Sequence, residues 1–130
     1  MTLPDALLEV LRAKAICFVT TLMPDGSPQI SQTWADTDGK HVLINTVDSH
    51  QKTRNVRRDT RVALGIADPA APMRSWALRG NVVDVATQGA RENLEELSQK
   101  YIGRPYPNYG GGSEQQRVIL TIEIDKIHTP

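Results

Sequence analysis

Five of the fifteen basic residues of this chain, Lys52, Arg54, Arg57, Arg58 and Arg61, fall within one short stretch. Wound as a helix at about 100° per residue, that stretch puts the four arginines on one stripe and turns Lys52, Asn55 and Val56 to the other side. Val56 is the apolar anchor, so Lys52 is expected to lie against the rest of the fold. The start of such a helix offers unpaired backbone N–H groups and the positive end of the macrodipole. A lysine beside them makes a phosphate pocket, to which His50 and Gln51 can add donors. Two other chemistries compete. Asp48 and Lys52, spaced i and i+4, can form an ordinary surface ion pair worth a few tenths of a kcal/mol, with the arginines merely solvated. Alternatively, an arginine stripe can track the phosphates of a nucleic acid. Against that, the stripe carries no aromatic, Asn or Gln to read bases, and fifteen Asp+Glu cancel fifteen Lys+Arg, so no overall field recruits a polyanion.

The remaining reactive residue types give less. Cys17 is the single cysteine and lies in the apolar run Ala15–Val19, which fits a buried thiol in a reducing compartment. The histidines, His41, His50 and His128, are scattered and no two stand at metal-ligand spacing, so no metal site is expected. Tyr106 and Tyr109 lie in a Pro/Gly-rich loop where they can stack on a planar ring or simply pack. No apolar run approaches the roughly 20 residues of a membrane span, and Asp5 and Glu9 stand where a signal peptide would be basic and then apolar. A soluble, cytoplasmic protein is expected, and 130 residues with 39% apolar and 23% charged composition suit one domain covering 1–130.

The elements that must position these residues follow from periodicity and turn chemistry. Thr2-Leu3-Pro4-Asp5 opens a short amphipathic helix over about residues 3 to 13, capped by Thr2. Ala15–Leu22 is a strand, stopped by Pro24-Asp25-Gly26-Ser27-Pro28. Gln29–Asp36 is half polar, and Asp38-Gly39 turns the chain into a strand over His41–Thr46, so the first three strands are expected as an antiparallel meander. A helix capped by Asp48 or Ser49 runs to about Arg58. Arg61–Ala67 is the next strand, Asp68–Pro72 a loop, and Arg74–Ala86 a long strand bent near Gly80, where a lone glycine signals a bulge or a close backbone approach. Thr87 caps a helix whose Ala90, Leu94, Leu97 and Tyr101 share a face opposite Glu92, Glu95 and Glu96. Gly103–Gln116 reads as a loop able to act as a lid. Arg117–Asp125 alternates, with Val118, Leu120, Ile122 and Ile124 inward. The fold class is mainly β with short helices, a small six-stranded antiparallel barrel.

Three stretches, Thr20–Ser31, Val42–Thr46 and Gln51–Leu64, together resemble the pyridoxamine-phosphate-oxidase-like, FMN-binding split-barrel flavoproteins, and more narrowly the branch that uses the deazaflavin coenzyme F420. Trp34, Asp36, Leu78–Val83 and Arg117–Leu120 continue the resemblance in order along nearly the whole chain. It implies a split β-barrel homodimer with a cofactor in each of two clefts at the subunit interface, acting on a small-molecule substrate. The phosphate end would meet Ser49, His50, Gln51, Lys52 and Asn55 at the helix start, while Gln29, Ser31, Gln32, Thr33, Asn45 and Thr46 would line the ring and its side chain. Similar proteins often carry Arg in place of His50 and Pro in place of Thr60, which implies weaker or more pH-sensitive phosphate binding here. The implied reaction is hydride transfer from reduced F420 to an electron-poor acceptor, with the cofactor carrying the chemistry and no residue singled out as the proton donor. Arg74, Trp76 and Tyr109 are candidates for the substrate side, with packing at the dimer interface as their alternative. The arginine stripe would meet the oligoglutamate tail of F420. An FMN-binding oxidase or flavin-binding protein, and a non-catalytic cofactor-binding module, are the competing functions.

Overall fold

The computed structural model describes residues 1–107 and 115–129. Among them the chain forms α1 (Asp5–Arg12), β1 (Ile16–Leu22), β2 (Pro28–Thr33), β3 (Ala35–Thr37), β4 (Val42–Val47), α2 (Gln51–Arg58), β5 (Arg61–Asp68), β6 (Ala71–Ala86), α3 (Ala90–Ile102) and β7 (Arg117–His128). Every strand pairing is antiparallel, in the order β2-β1-β5-β6-β7-β4-β3. The two outermost strands of that order, β2 and β3, are joined in the chain by Trp34 alone. The sheet therefore has to curl until its edges approach at that residue, which is what makes it a split barrel.

Two expectations change here. The half-polar Gln29–Asp36 stretch is not one strand but two, so the described residues hold seven strands where six were expected. The meander of the first three strands is also corrected: β1 pairs with β2 and β3 with β4, but β2 and β3 lie at opposite edges. The turn chemistry at Asp38-Gly39 specifies only its own hairpin, in which Asp38 Oδ1 accepts from the backbone N–H of Lys40 and His41 and Gly39 takes φ 93°. Nothing local encodes which side of Trp34 belongs to which edge. The expected 68–72 loop is likewise shorter, because β6 already begins at Ala71.

Period-2 patterning fills the barrel. Cys17 and Val19 of β1, Leu64 and Ile66 of β5, Leu78 and Val82 of β6, and Val118, Leu120, Ile122 and Ile124 of β7 are buried in one core, with Leu7, Val10 and Leu11 of α1 packed on it. Each such aliphatic side chain contributes about 1.5–3 kcal/mol on burial. Neither α1 nor α3 carries the expected threonine cap. Pro4 and Gly89 are the N-cap residues, without side-chain cap hydrogen bonds. The α3 face appears as expected: Ala90, Leu94 and Leu97 are buried, Tyr101 is half-buried, and Glu92 and Glu96 are exposed.

Gly80 meets both halves of its expectation. The β6–β7 register shifts between Arg79 and Gly80, and a Cβ placed on Gly80 would lie 2.0 Å from the backbone oxygen of Glu123. The Cys17 thiol is fully buried and burial pushes it up to about 12. Native protein should therefore resist iodoacetamide at mildly alkaline pH and be labelled only after denaturation. Labelling at the same rate in both states would show that Cys17 is not in the core.

Candidate functional site

The start of α2 carries no side-chain cap. Asp48 and Ser49 do not serve there: the N-cap residue is His50, and Asp48 Oδ1 pairs with Arg57 Nη2 at 2.6 Å. That pairing is decisive for Lys52, because the carboxylate expected as its surface partner is taken by another residue. The buried side of α2 is held by Asn55. Its Nδ2 donates to Thr21 Oγ1 (3.0 Å) and approaches Gln29 Oε1 (3.4 Å), and its Oδ1 accepts from Gln51 Nε2 (2.8 Å). With Val56 and Thr53 buried as well, α2 is fixed against β1 and β4, and Lys52 is half-buried as its helical phase requires.

The four arginines all point outward, and each has a local partner. Arg54 bonds Ser49 O and Gln51 Oε1, Arg57 bonds Asp48, Arg58 bonds Leu22 O, and Arg61 bonds Asp59. Lys52 differs, with no ion pair among the described residues. Desolvation and then the charge of Arg117 hold its ammonium below the ordinary lysine range. Desolvation, with Lys52, Arg117 and Arg54, lowers His50, and Arg117 is lowered by burial. Two cations and a histidine that burial keeps neutral thus share one corner, and none of the three has an ion pair among the described residues, an arrangement that an anion would relieve.

Beside this corner lies a cavity of about 540 Å³ beneath α3. Gln32, Thr33 and Trp34 line one side, Asn45 and Arg117 another, and Leu94, Leu97, Tyr101 and Tyr106 close it. Trp34 stacks on Tyr101, with centroids 5.1 Å apart and planes 5° apart. The Tyr101 hydroxyl donates to Ala15 O (2.8 Å) and accepts from Ala35 N–H (3.1 Å), and burial pushes it up to about 12. Tyr101 is thus a wall whose proton is committed.

Of the residues expected at a cofactor, the structure brings Gln32, Thr33 and Asn45 to this cavity and His50 and Lys52 to the cationic corner next to it. Gln29, Gln51 and Asn55 join in the hydrogen-bonded network under α2, Thr46 is buried on β4 beside Asn45, and Ser31 and the exposed Ser49 lie on β2 and before α2. Arg74 and Trp76 lie elsewhere. Arg74 bonds Asp68 (3.1 Å) and covers the Trp76 ring at 5.6 Å, and Trp76 lines a separate apolar hollow with Phe18 and Gly65. Tyr109 falls outside the described residues, as does most of the suggested lid.

Sequence reasoning passed over Arg117, Tyr101 and the role of Trp34. Arg117 looked like the polar first residue of an alternating strand, and its contact, Nε to Asn45 Oδ1 at 2.9 Å, spans 72 positions. Among the described residues no helix is long and apolar enough to cross a membrane, and no three His, Cys, Asp or Glu side chains gather as metal ligands would.

His50 gives this corner a pH signature. Because its folded pKa lies below the ordinary 6.5, the unfolded chain binds the proton first, so the stability tied to His50 is complete above about pH 6.5 and declines on acidification. A bound anion favours the protonated imidazole and reverses that trend. Sulfate should raise the melting temperature more at about pH 5.5 than at about pH 7.5, and His50→Ala should remove the difference. Equal shifts at both pH values would detach His50 from the anion corner.

A curled antiparallel split barrel with a cluster of basic side chains beside an aromatic cavity defines the class of protein to which this chain is assigned by its fold. The chain belongs to the pyridoxamine 5'-phosphate oxidase family, whose pattern matches residues 3–129. Among solved structures it is similar to a protein named F420 reductase, at 25% identity and TM-score 0.83, covering 97% of this chain and 98% of that one. A Listeria innocua structure (20% identity, TM-score 0.70, 95% and 94% covered) and a conserved hypothetical protein of Mycobacterium tuberculosis (22%, 0.68, 96% and 82%) share the fold. No curated protein matches the sequence.

Proposed function

We propose that this protein is an F420-dependent reductase that works as a homodimer, transferring hydride from the reduced deazaflavin to an electron-poor small molecule. The observation that carries this reading is Lys52: half-buried, deprived of Asp48 by Arg57, and set beside His50 and Arg117 at an uncapped helix start. The similarity to a protein named F420 reductase, over nearly all of both chains, favours the deazaflavin over FMN.

In this reading Lys52, His50 and the first N–H groups of α2 hold the phosphate. Gln32 and Thr33 at the end of β2 face the ring from the cavity side, and Gln29 and Ser31, on the same face of β2 as Thr33, complete the strand that runs past it. When bound, the reduced deazaflavin supplies the hydride, and its ring carbon in place of the oxygen-reactive nitrogen suits a reductase better than an oxidase. The protein contributes binding, orientation and exclusion of water. Tyr101 Oη keeps its proton on Ala15 O, so the acceptor's proton comes from solvent or from another group.

The test is a parallel titration of the protein with F420 and FMN, followed by ligand fluorescence and tryptophan quenching. Tighter binding of F420, together with its reoxidation by a quinone, tetrapyrrole or nitro acceptor, is the expected result. Tighter FMN binding would replace the reading with a flavin oxidase, binding without turnover with a non-catalytic carrier, and binding of neither would remove the cofactor altogether.

A further inference from the structure

The cavity beneath α3 has a polarity that a phosphate corner does not account for. Lys52 is not on its wall. Its cation is Arg117, half-buried, with the guanidinium 5.6 Å from the centroid of the Tyr106 ring. Trp34 meets that same ring edge-on at 6.2 Å. The guanidinium is aimed by a chain of amides. Asn45 Oδ1 accepts from Arg117 Nε, and Asn45 Nδ2 donates to Ala90 O (2.7 Å) and Asn93 Oδ1 (3.1 Å). Asn93 Nδ2 in turn donates to Asp36 Oδ2 (3.0 Å). Asn45 therefore has both amide hydrogens spent inside the protein, and its free function is to hold Arg117. Asp36 lies at the far end of that chain, and Arg117 has no ion pair among the described residues. Nε is committed to Asn45 and the guanidinium also hydrogen-bonds the Tyr106 side chain, so Arg117 is held from two sides and its remaining Nη hydrogens are the donors that can meet a carboxylate.

We propose that this cavity is a subsite for a planar, conjugated carboxylate, seated against Trp34 and Tyr106 with its carboxylate on Arg117, and that Asn45 is the positioning residue that aims Arg117. The volume of about 540 Å³ lies in the ordinary range for small-molecule pockets. The aromatic wall supplies stacking to a flat ring, while the carboxylate compensates a cation that burial otherwise penalises. The inference rests on the reductase reading only in naming this ligand as substrate; the binding itself does not require the cofactor.

The test uses 2-naphthoate and its neutral isostere 2-naphthamide in equilibrium dialysis against the protein, with and without saturating F420. Naphthoate should bind at least about tenfold more tightly than naphthamide, the scale of one charge-assisted contact. Arg117→Gln should bring the two to parity, and Arg117→Lys should restore part of the preference. Asn45→Ala should lower naphthoate affinity while leaving naphthamide affinity unchanged, a selective loss that a general loosening of α3 would not produce. Arg57→Ala, an exposed arginine of α2 paired with Asp48 and away from the cavity lining, should leave both unchanged. No preference for the carboxylate, a preference that survives Arg117→Gln, or displacement of naphthoate by F420 in proportion to its affinity would overturn the proposal. Selective naphthoate binding by a protein that binds neither F420 nor FMN would uphold the subsite and remove the reductase.

Discussion

Replacing Lys52 by alanine is expected to weaken binding of the phosphate-bearing cofactor by about 10–100-fold, the loss of one charge-assisted contact at about 1.5–3 kcal/mol. The same change should leave the melting temperature level or raise it. Both expectations come from one fact. Lys52 has no ion pair among the described residues, and it sits half-buried near the charge of Arg117. Without a bound anion it is a destabilising residue, since desolvation and like charge both disfavour its ammonium. A lysine kept for stability would behave in the opposite way. Fluorescence titration with thermal melts in parallel decides the matter: unchanged affinity together with a lower melting temperature would make Lys52 a structural residue and remove the main support of the cofactor site.

Gly80→Ala should be the most damaging glycine-to-alanine change among the described residues. The new Cβ would lie 2.0 Å from the carbonyl oxygen of Glu123 and 2.9 Å from its carbonyl carbon, so the obstacle is backbone and not a side chain free to turn away. Relief requires β7 to move away from β6 at the point where their register shifts. Overpacking of this kind costs typically about 1–3 kcal/mol and more where backbone must shift, which corresponds to a fall in melting temperature of about 10 °C. Calorimetry on the variant checks it, and a change under about 2 °C would mean that the bulge accommodates a side chain. Gly65 on β5 has open space where a Cβ would stand, with nothing within 4 Å, and Gly65→Ala serves as the control for strand glycine-to-alanine changes.

Some of this was open to sequence reading and some was not, for physical reasons. The inward phase of Lys52 followed from helical periodicity with Val56 as anchor. The alternation from Val118 to Ile124 gave β7, and the isolated Gly80 gave the close approach, because each signal is local and repeats with a fixed period or stands out against one. Strand order was not legible, since a period of two says which face is buried and nothing about the neighbour across the sheet. That is why one polar stretch became both edges of the sheet. Helix caps failed for a similar reason. Asp48 had the right type and place, yet Arg57, one helical face away, competes for its carboxylate. Arg117 and Asn45 meet only because β4 and β7 pair, as do Thr46 and Val118 beside them.

The single-residue link at Trp34 ties two otherwise independent edges of the sheet to one another. A slip of β2 along β1 would drag β3 along β4, so neither register can change without the other. In kinetic terms, this link is present from the start and the barrel closes through the long-range pairing of β4 with β7, while β3, three residues long, is held by β4 alone. Short, one-sided pairing is also what opens first in a native ensemble. Trp34 and its stacking partner Tyr101 are the wall of the cavity, so the residue that couples the two registers is also the one that shapes the cavity.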